Sequence, residues 1–272
     1  MSTPVAVLAH GAGGQGFSTT FGALLVAAVA IAVYGAAALR CRQDPRGWSG
    51  WRTAGFVVGV GLLVVATVPA GSDDLSAHMI GHLLIGMYAP LALALSAPVT
   101  LLLRSTPAAF GRRLMHIVRS RPARIVAHPV VLLVATVGGL VALYFTPLFD
   151  IADSNPVVHA AVHVHFFVSG YLFAWMIAGP DPAPERPSVP VRLVLIGIAV
   201  AAHAVIAQLI HAGLFLGFEA PADELRSAGS LMYYWGDIAE ILLALAMLRT
   251  WRTDRALSRP RGRSPAIPVA HP

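Results

Sequence analysis

Two identically spaced pairs of histidines carry the chemistry most visible in this sequence: His78 and His82 in LSAHMIGHLL, and His159 and His163 in VVHAAVHVHFF. Residues four apart share a helix face, so each pair presents two imidazoles to one side. Imidazole is a ligand for copper, zinc and iron, and two such pairs on facing helices could supply most of a coordination sphere. Met79 stands inside the first pair. His165 points to about the opposite side from His163, at about 100° per residue, and need join them only in a supporting role. His203 and His211, with Gln208 between them, lie about 80° apart on a helical wheel and can face one interior. Asp237 and Glu240, in SLMYYWGDIAEILL, share a face three residues apart and read as ligands, partners to the imidazoles or proton-handling groups.

These side chains lie in unusually apolar sequence. Of the 272 residues 57% are hydrophobic and 12% charged, and the mean hydropathy is +0.71, well outside the range of soluble domains. Apolar runs of about 20 residues suit the thickness of a bilayer, where ionisable groups are costly and so mark function. The runs fall at 18–39, 51–69, 75–103, 127–146, 156–178, 191–217 and 229–249. The expected fold is an all-α integral membrane protein, a seven-transmembrane helix bundle. Residues 1–17 form a short extracytoplasmic tail, 18–250 the membrane domain, and 251–272 a disordered basic cytoplasmic tail.

Charge segregation sets the expected orientation. Arg40, Arg42, Arg46 and Arg52 flank the first loop, six arginines from Arg104 to Arg124 the third, and Arg186 and Arg192 the fifth. The C-terminal segment adds Arg249, Arg252, Arg255, Arg259, Arg261 and Arg263. The other side carries Arg226 alone among arginines, beside Asp73, Asp74, Asp150, Asp153, Glu219, Asp223 and Glu224. By the positive-inside rule the N-terminus is outside and the C-terminus cytoplasmic. In that topology His78, His82, His159, His163 and His211 lie in the outer part of the membrane, with Asp237 somewhat deeper. The segment PAAFGRRLMHIVRSRP, with Phe110, Leu114, Ile117 and Val118 opposed to Arg112, Arg113 and Arg119, reads as a helix along the inner leaflet.

Composition also excludes functions. The net charge of +6 belongs to helix ends and loops, which explains it by topology rather than by nucleic acid. Every basic residue besides histidine is arginine, so a retinal Schiff base and a P-loop are both ruled out. Cys41 is the single cysteine, which excludes intrachain disulfides and CxxC metal sites and leaves His, Met and carboxylate as ligands. The N-terminal segment lacks the charged start of a signal peptide. Trp48, Trp51 and Tyr144, near span ends, read as interface belt residues. His10, His116, His128 and His271 fall in tails, loops or at the inner edge and receive no role.

The order of motifs HMIGHLLIGMYAPLALALSAPVTLLLR, HPVVLLVATVGGLVALYFTPLFD, HAAVHVHFFVSGYLFAWMIAGPDP and DELRSAGSLMYYWGD resembles the CtaG family of multi-span membrane cytochrome c oxidase assembly factors, over about residues 50–250. The resemblance implies a non-enzymatic, chaperone-like role in a bacterial plasma membrane, helping to install copper beside the haem of the oxidase catalytic subunit. Expected partners are the oxidase subunits, the lipid bilayer and a copper donor protein. The metal would be copper, held by His78, His82, His159, His163 and His211, with Asp237, Glu240, His203, His165 and Met79 in support. Two other functions fit the same residues: a metal or proton-coupled transporter, and a bis-histidine haem protein.

Overall fold

The computed structural model describes residues 9–67, 74–184 and 186–258, with side chains of the first and last helices described from Phe21 and up to Trp251. The expected Asp73, Arg259, Arg261, Arg263 and His271, and the side chains of His10, Arg252 and Arg255, lie outside the described residues. Within them the chain is all helix, with no strand: α1 Ala9–Arg42, α2 Gly50–Thr67, α3 Leu75–Leu83, a π turn Leu84–Tyr88, α4 Ala89–Leu95, α5 Pro98–Ser105, α6 Ala108–Val118, α7 Arg121–Val126, α8 Pro129–Phe145, α9 Leu148–Ser154, α10 Pro156–Ala178, α11 Val189–Ala212 and α12 Ala222–Ser258. Six segments among them are long and apolar enough to cross a membrane, the third being Leu75–Ser105 taken whole. The pair α8 and α9, bent by 79° at Thr146–Pro147, brings the number to seven when counted as one span.

Two boundaries differ from the sequence reading. Helix α1 begins at Ala9, inside the expected N-terminal tail, and α12 runs on to Ser258, past the expected end of the membrane domain at 250. At the C-terminal end no proline or glycine stands between Leu248 and Ser258, so helical hydrogen bonding continues into the polar flank, whereas α1 runs through Gly11, Gly13, Gly14 and Gly16.

Lipid-facing positions carry Val26, Val33, Val134, Val194 and Ile241, all exposed, as a bilayer rather than water requires. The interior is built by α10 against α4, α11 against α12, and α3 against α12. Trp48, expected in an interface belt, is buried instead, edge-on to Tyr34 with the Arg52 and Arg104 guanidinium groups 5.0 and 5.6 Å from its ring. Trp51 is exposed, as a belt residue should be.

The third span is not one continuous helix, because it contains two prolines. Pro90 has no N–H to return to the carbonyl of Gly86, and its ring would crowd that carbonyl in an α-helix. The backbone widens just before it, with Ala89 N–H bonded to Leu84 O, five residues back. A Cβ on Gly170 of α10 would collide with the Gly86 carbonyl, so only glycine permits the two helices to meet this closely. At the second break Ala97 is left-handed (φ 56°) and Pro98 starts α5. The new helix's exposed amides are capped by Asp181 of the GPDP turn, which accepts from Val99 N (2.9 Å), Thr100 N (2.6 Å) and the Thr100 hydroxyl.

Candidate metal centre

Two capped helix starts bring the histidine pairs together. Asp74 Oδ1 accepts from Ser76 N (3.1 Å) to begin α3, and Glu224 of α12 accepts from Leu75 N (3.4 Å). Asn155 Oδ1 accepts from Val157 N (3.0 Å) and Val158 N (3.3 Å) to begin α10, with Pro156 in the first turn where its missing N–H costs nothing. One turn inside each start, the paired imidazoles face each other. Ring centroids are 4.2 Å apart for His78 and His82, 4.4 Å for His159 and His163, 5.7 Å for His78 and His159, and 5.3 Å for His82 and His163.

His78, His82 and His159 each offer a ring nitrogen, all within 4.8 Å of one another. Metal–imidazole bonds of about 2 Å put ligand atoms at most about 4 Å apart, so the trio would contract by at most about 1 Å around an ion. His163 stands beside them, its Nε2 sharing a hydrogen bond with His159 Nε2 (3.1 Å). The Nε2 atoms of His78 and His82 are buried with no hydrogen-bond partner. Buried polar atoms are normally paired, and these two imidazole nitrogens have lone pairs or protons that no protein group among the described residues takes up.

Tyr144, expected at the interface, is 0% exposed and belongs to this centre. Its O–H donates to Met79 Sδ (3.4 Å), so its oxygen accepts from His82 Nδ1–H (3.1 Å). That tautomer leaves the Nε2 lone pair of His82 for a ligand, the arrangement by which outer groups orient metal-binding histidines. The bend after α8 that buries Tyr144 also swings α9 over the site. Phe149 lies 5.1 Å from the His78 ring and stacks on Phe218 at 4.1 Å. The sequence signal for Tyr144 was its position just before the TPLFD turn.

Above the imidazoles opens a vestibule of about 690 Å³, lined by His78, His159 and His163 together with Asp74, Asp153, Glu219 and Glu224. Four carboxylates around a low-dielectric mouth concentrate cations there. Among the described residues no arginine lines it.

The other expected residues go elsewhere. His211 does not join the cluster: it is exposed, and its Nδ1–H donates to Arg226 O (3.1 Å), with Ser230 Oγ at 3.3 Å. Helix α12 approaches it through Gly229, whose Cβ would clash with the His211 backbone, and this contact takes up the ring. His165 donates from Nε2 to Ala135 O of α8 (3.1 Å), on the far side of α10. His203 is buried and lies 3.7 Å from Glu240 Oε1, deeper in the bundle. Asp237 is half-buried one turn earlier, with Oδ1 unpartnered, and does not line the vestibule. Met79 is buried under the cluster as the acceptor for Tyr144.

The fold and this centre define a polytopic helical membrane protein with a histidine cluster opening at the acidic end of its bundle. Residues 32–254 match the family model for the cytochrome c oxidase caa3 assembly factor, and the chain belongs to that family. It is similar to uncharacterised proteins of Mycobacterium bovis and Mycobacterium tuberculosis, 29% identical over 258 residues that cover 85% of this chain. A Mycobacterium leprae protein, also uncharacterised, is 29% identical over 254 residues, or 84% of this chain. The chain spans 39% of the first two relatives and 38% of the third. No solved structure matches.

Proposed function

We propose that the protein binds copper at the His78, His82 and His159 cluster, with His163 adjoining, and helps deliver it to the catalytic subunit of a haem-copper oxidase. The observation that carries this reading is the meeting of three ring nitrogens within 4.8 Å, two of them buried and without a partner. Membership of an oxidase assembly family supplies the acceptor. Arginine segregation supports a topology with the cluster near the extracytoplasmic face of a bacterial plasma membrane and the C-terminus in the cytoplasm. The acidic vestibule gathers the cation, and imidazole ligands hold it loosely enough for exchange to another histidine site.

Metal analysis of the purified full chain tests the proposal. With His78→Ala, His82→Ala, His159→Ala and His163→Ala combined, copper affinity is expected to fall by more than about 100-fold, and oxidase maturation to fail in cells carrying the variant. Copper content equal to that of the unmodified protein overturns the assignment. Copper-dependent uptake into sealed vesicles containing the protein alone would move the function to transport.

A further inference from the structure

At the arginine-rich end of the bundle, the hairpin of α6 and α7 joins two spans on very short tethers. Only Thr106 and Pro107 separate it from the end of α5, and only Ala127 and His128 from the start of α8. Both spans therefore hold it at the level where they leave the bilayer. Ser120 Oγ accepts from Ala123 N (3.4 Å) to begin α7, so the turn between the two helices is fixed locally.

Neither helix buries any of its residues against the rest of the chain. Phe110, Ile117, Ile125 and Val126 are exposed, Ile117 and Ile125 by 64% and 67%. Arg112, Arg113, Arg119, Arg121 and Arg124 are exposed beside them. No aspartate or glutamate occurs between Asp74 and Asp150, so no acid near in sequence offsets their charge. Arg104, just before the hairpin, is by contrast held by Asp44 (3.3 Å) and the Gly47 carbonyl (2.9 Å). On the wheel of α6, Phe110, Leu114, Ile117 and Val118 fall within about 100° of arc, and Arg112, Arg113 and His116 within another arc of about 100° on the other side.

A helix in water gains nothing from outward-facing isoleucines, and a nucleic acid or an acidic protein would use the arginines alone. A leaflet containing anionic phospholipid answers both faces. Its acyl region receives the apolar arc, and its phosphates take paired hydrogen bonds from guanidinium groups. We propose that the α6–α7 hairpin is a docking platform for anionic phospholipid, with Arg112, Arg113, Arg119 and Arg121 on the phosphates and Phe110 and Ile117 sunk among the chains. Arg124 extends the platform inward, where it lines with His128 and Arg186 a recess of about 310 Å³ at the foot of α8. The proposal does not depend on the copper reading of the histidine cluster.

The test is native mass spectrometry of the full chain in a nonionic detergent, titrated with phosphatidylglycerol or with phosphatidylcholine of the same acyl chains. The unmodified protein is expected to bind phosphatidylglycerol at least about 10-fold more tightly. Arg112→Gln, Arg113→Gln, Arg119→Gln and Arg121→Gln combined should abolish that preference while the thermal unfolding midpoint stays the same, since all four side chains are exposed. Phe110→Ser with Ile117→Ser keeps every charge and should weaken phosphatidylglycerol by at least about 5-fold. Glycerol phosphate, which has the headgroup charge without the chains, should compete at least about 100-fold more weakly than the whole lipid. The proposal is overturned if the unmodified protein shows no preference, or if the preference survives the four arginine changes. Tight binding of glycerol phosphate would make the surface a site for free anions, and an unaffected serine variant would make it a purely charged surface suited to an acidic protein; either result also overturns it.

Discussion

Asp181 and Glu240 are both carboxylates sealed inside the bundle, 1% and 6% exposed, yet they sit in opposite circumstances. Asp181, at the arginine-rich end, spends both oxygens on the start of α5, and its backbone carbonyl accepts from Arg186 Nη2 (2.9 Å). Nearby Arg192 donates to Ile177 O (2.7 Å), and Tyr34 donates to the Ser96 carbonyl (2.7 Å) beside the break. Glu240, towards the histidine end, has one oxygen out of hydrogen-bond range of His203 and the other without a partner. A satisfied buried group fixes the chain in one conformation, while an unsatisfied one costs stability and persists where a ligand completes it. The difference separates a carboxylate that holds the fold from one whose oxygens are left without a hydrogen bond.

The strongest way to break that distinction is Asp181→Ala, which strips the cap from α5 and leaves the Val99 and Thr100 amides unpaired. A loss of about 2–4 kcal/mol is expected in denaturant or thermal unfolding of the detergent-solubilised protein. Copper bound per folded molecule should not change, and a parallel loss of copper would mean the two ends are coupled. Tyr144→Phe is intermediate, because Tyr144 is the fully satisfied member of the histidine end. Removing its hydroxyl frees His82 to adopt either tautomer, and copper affinity should fall by about 10–100-fold for a stability cost of about 1 kcal/mol. A Tyr144→Phe protein with unchanged affinity would show that the phenol only packs. The smallest effect has the sharpest sign. Glu240→Gln should leave metal-free stability unchanged or raise it by up to about 1 kcal/mol, whereas Asp181→Asn lowers it. A matched loss in both variants would erase the contrast.

The spans and the two histidine pairs were legible because both depend on periodicity and composition. A helix of about 20 apolar residues and an i, i+4 spacing need no tertiary information. The prolines of TPLFD and GPDP break the helices there, and the resulting turns place Phe149 and Asp181. What each turn serves was hidden, since Tyr144 meets His82 and Asp181 meets Thr100 across 62 and 81 residues of chain. His211 shows the converse. Its depth matched the cluster, but its direction was decided by Gly229 and the backbone of α12, a contact that no local pattern encodes. Glu240 was recognised as costly in lipid, while its companion turned out to be His203 on the neighbouring helix rather than Asp237 on its own.

The π turn at Leu84–Tyr88 amounts to one extra residue spliced into a helix. Without it, everything before Leu84 would be rotated by about 100° relative to α4, which is locked against α10 at Gly170. The imidazoles of His78 and His82 would then sweep away from His159 towards the hydrocarbon, although no histidine had been altered. The aim of the cluster is thus set by a count of residues just beyond His82, and a single-codon deletion there would scatter the imidazoles as completely as replacing them.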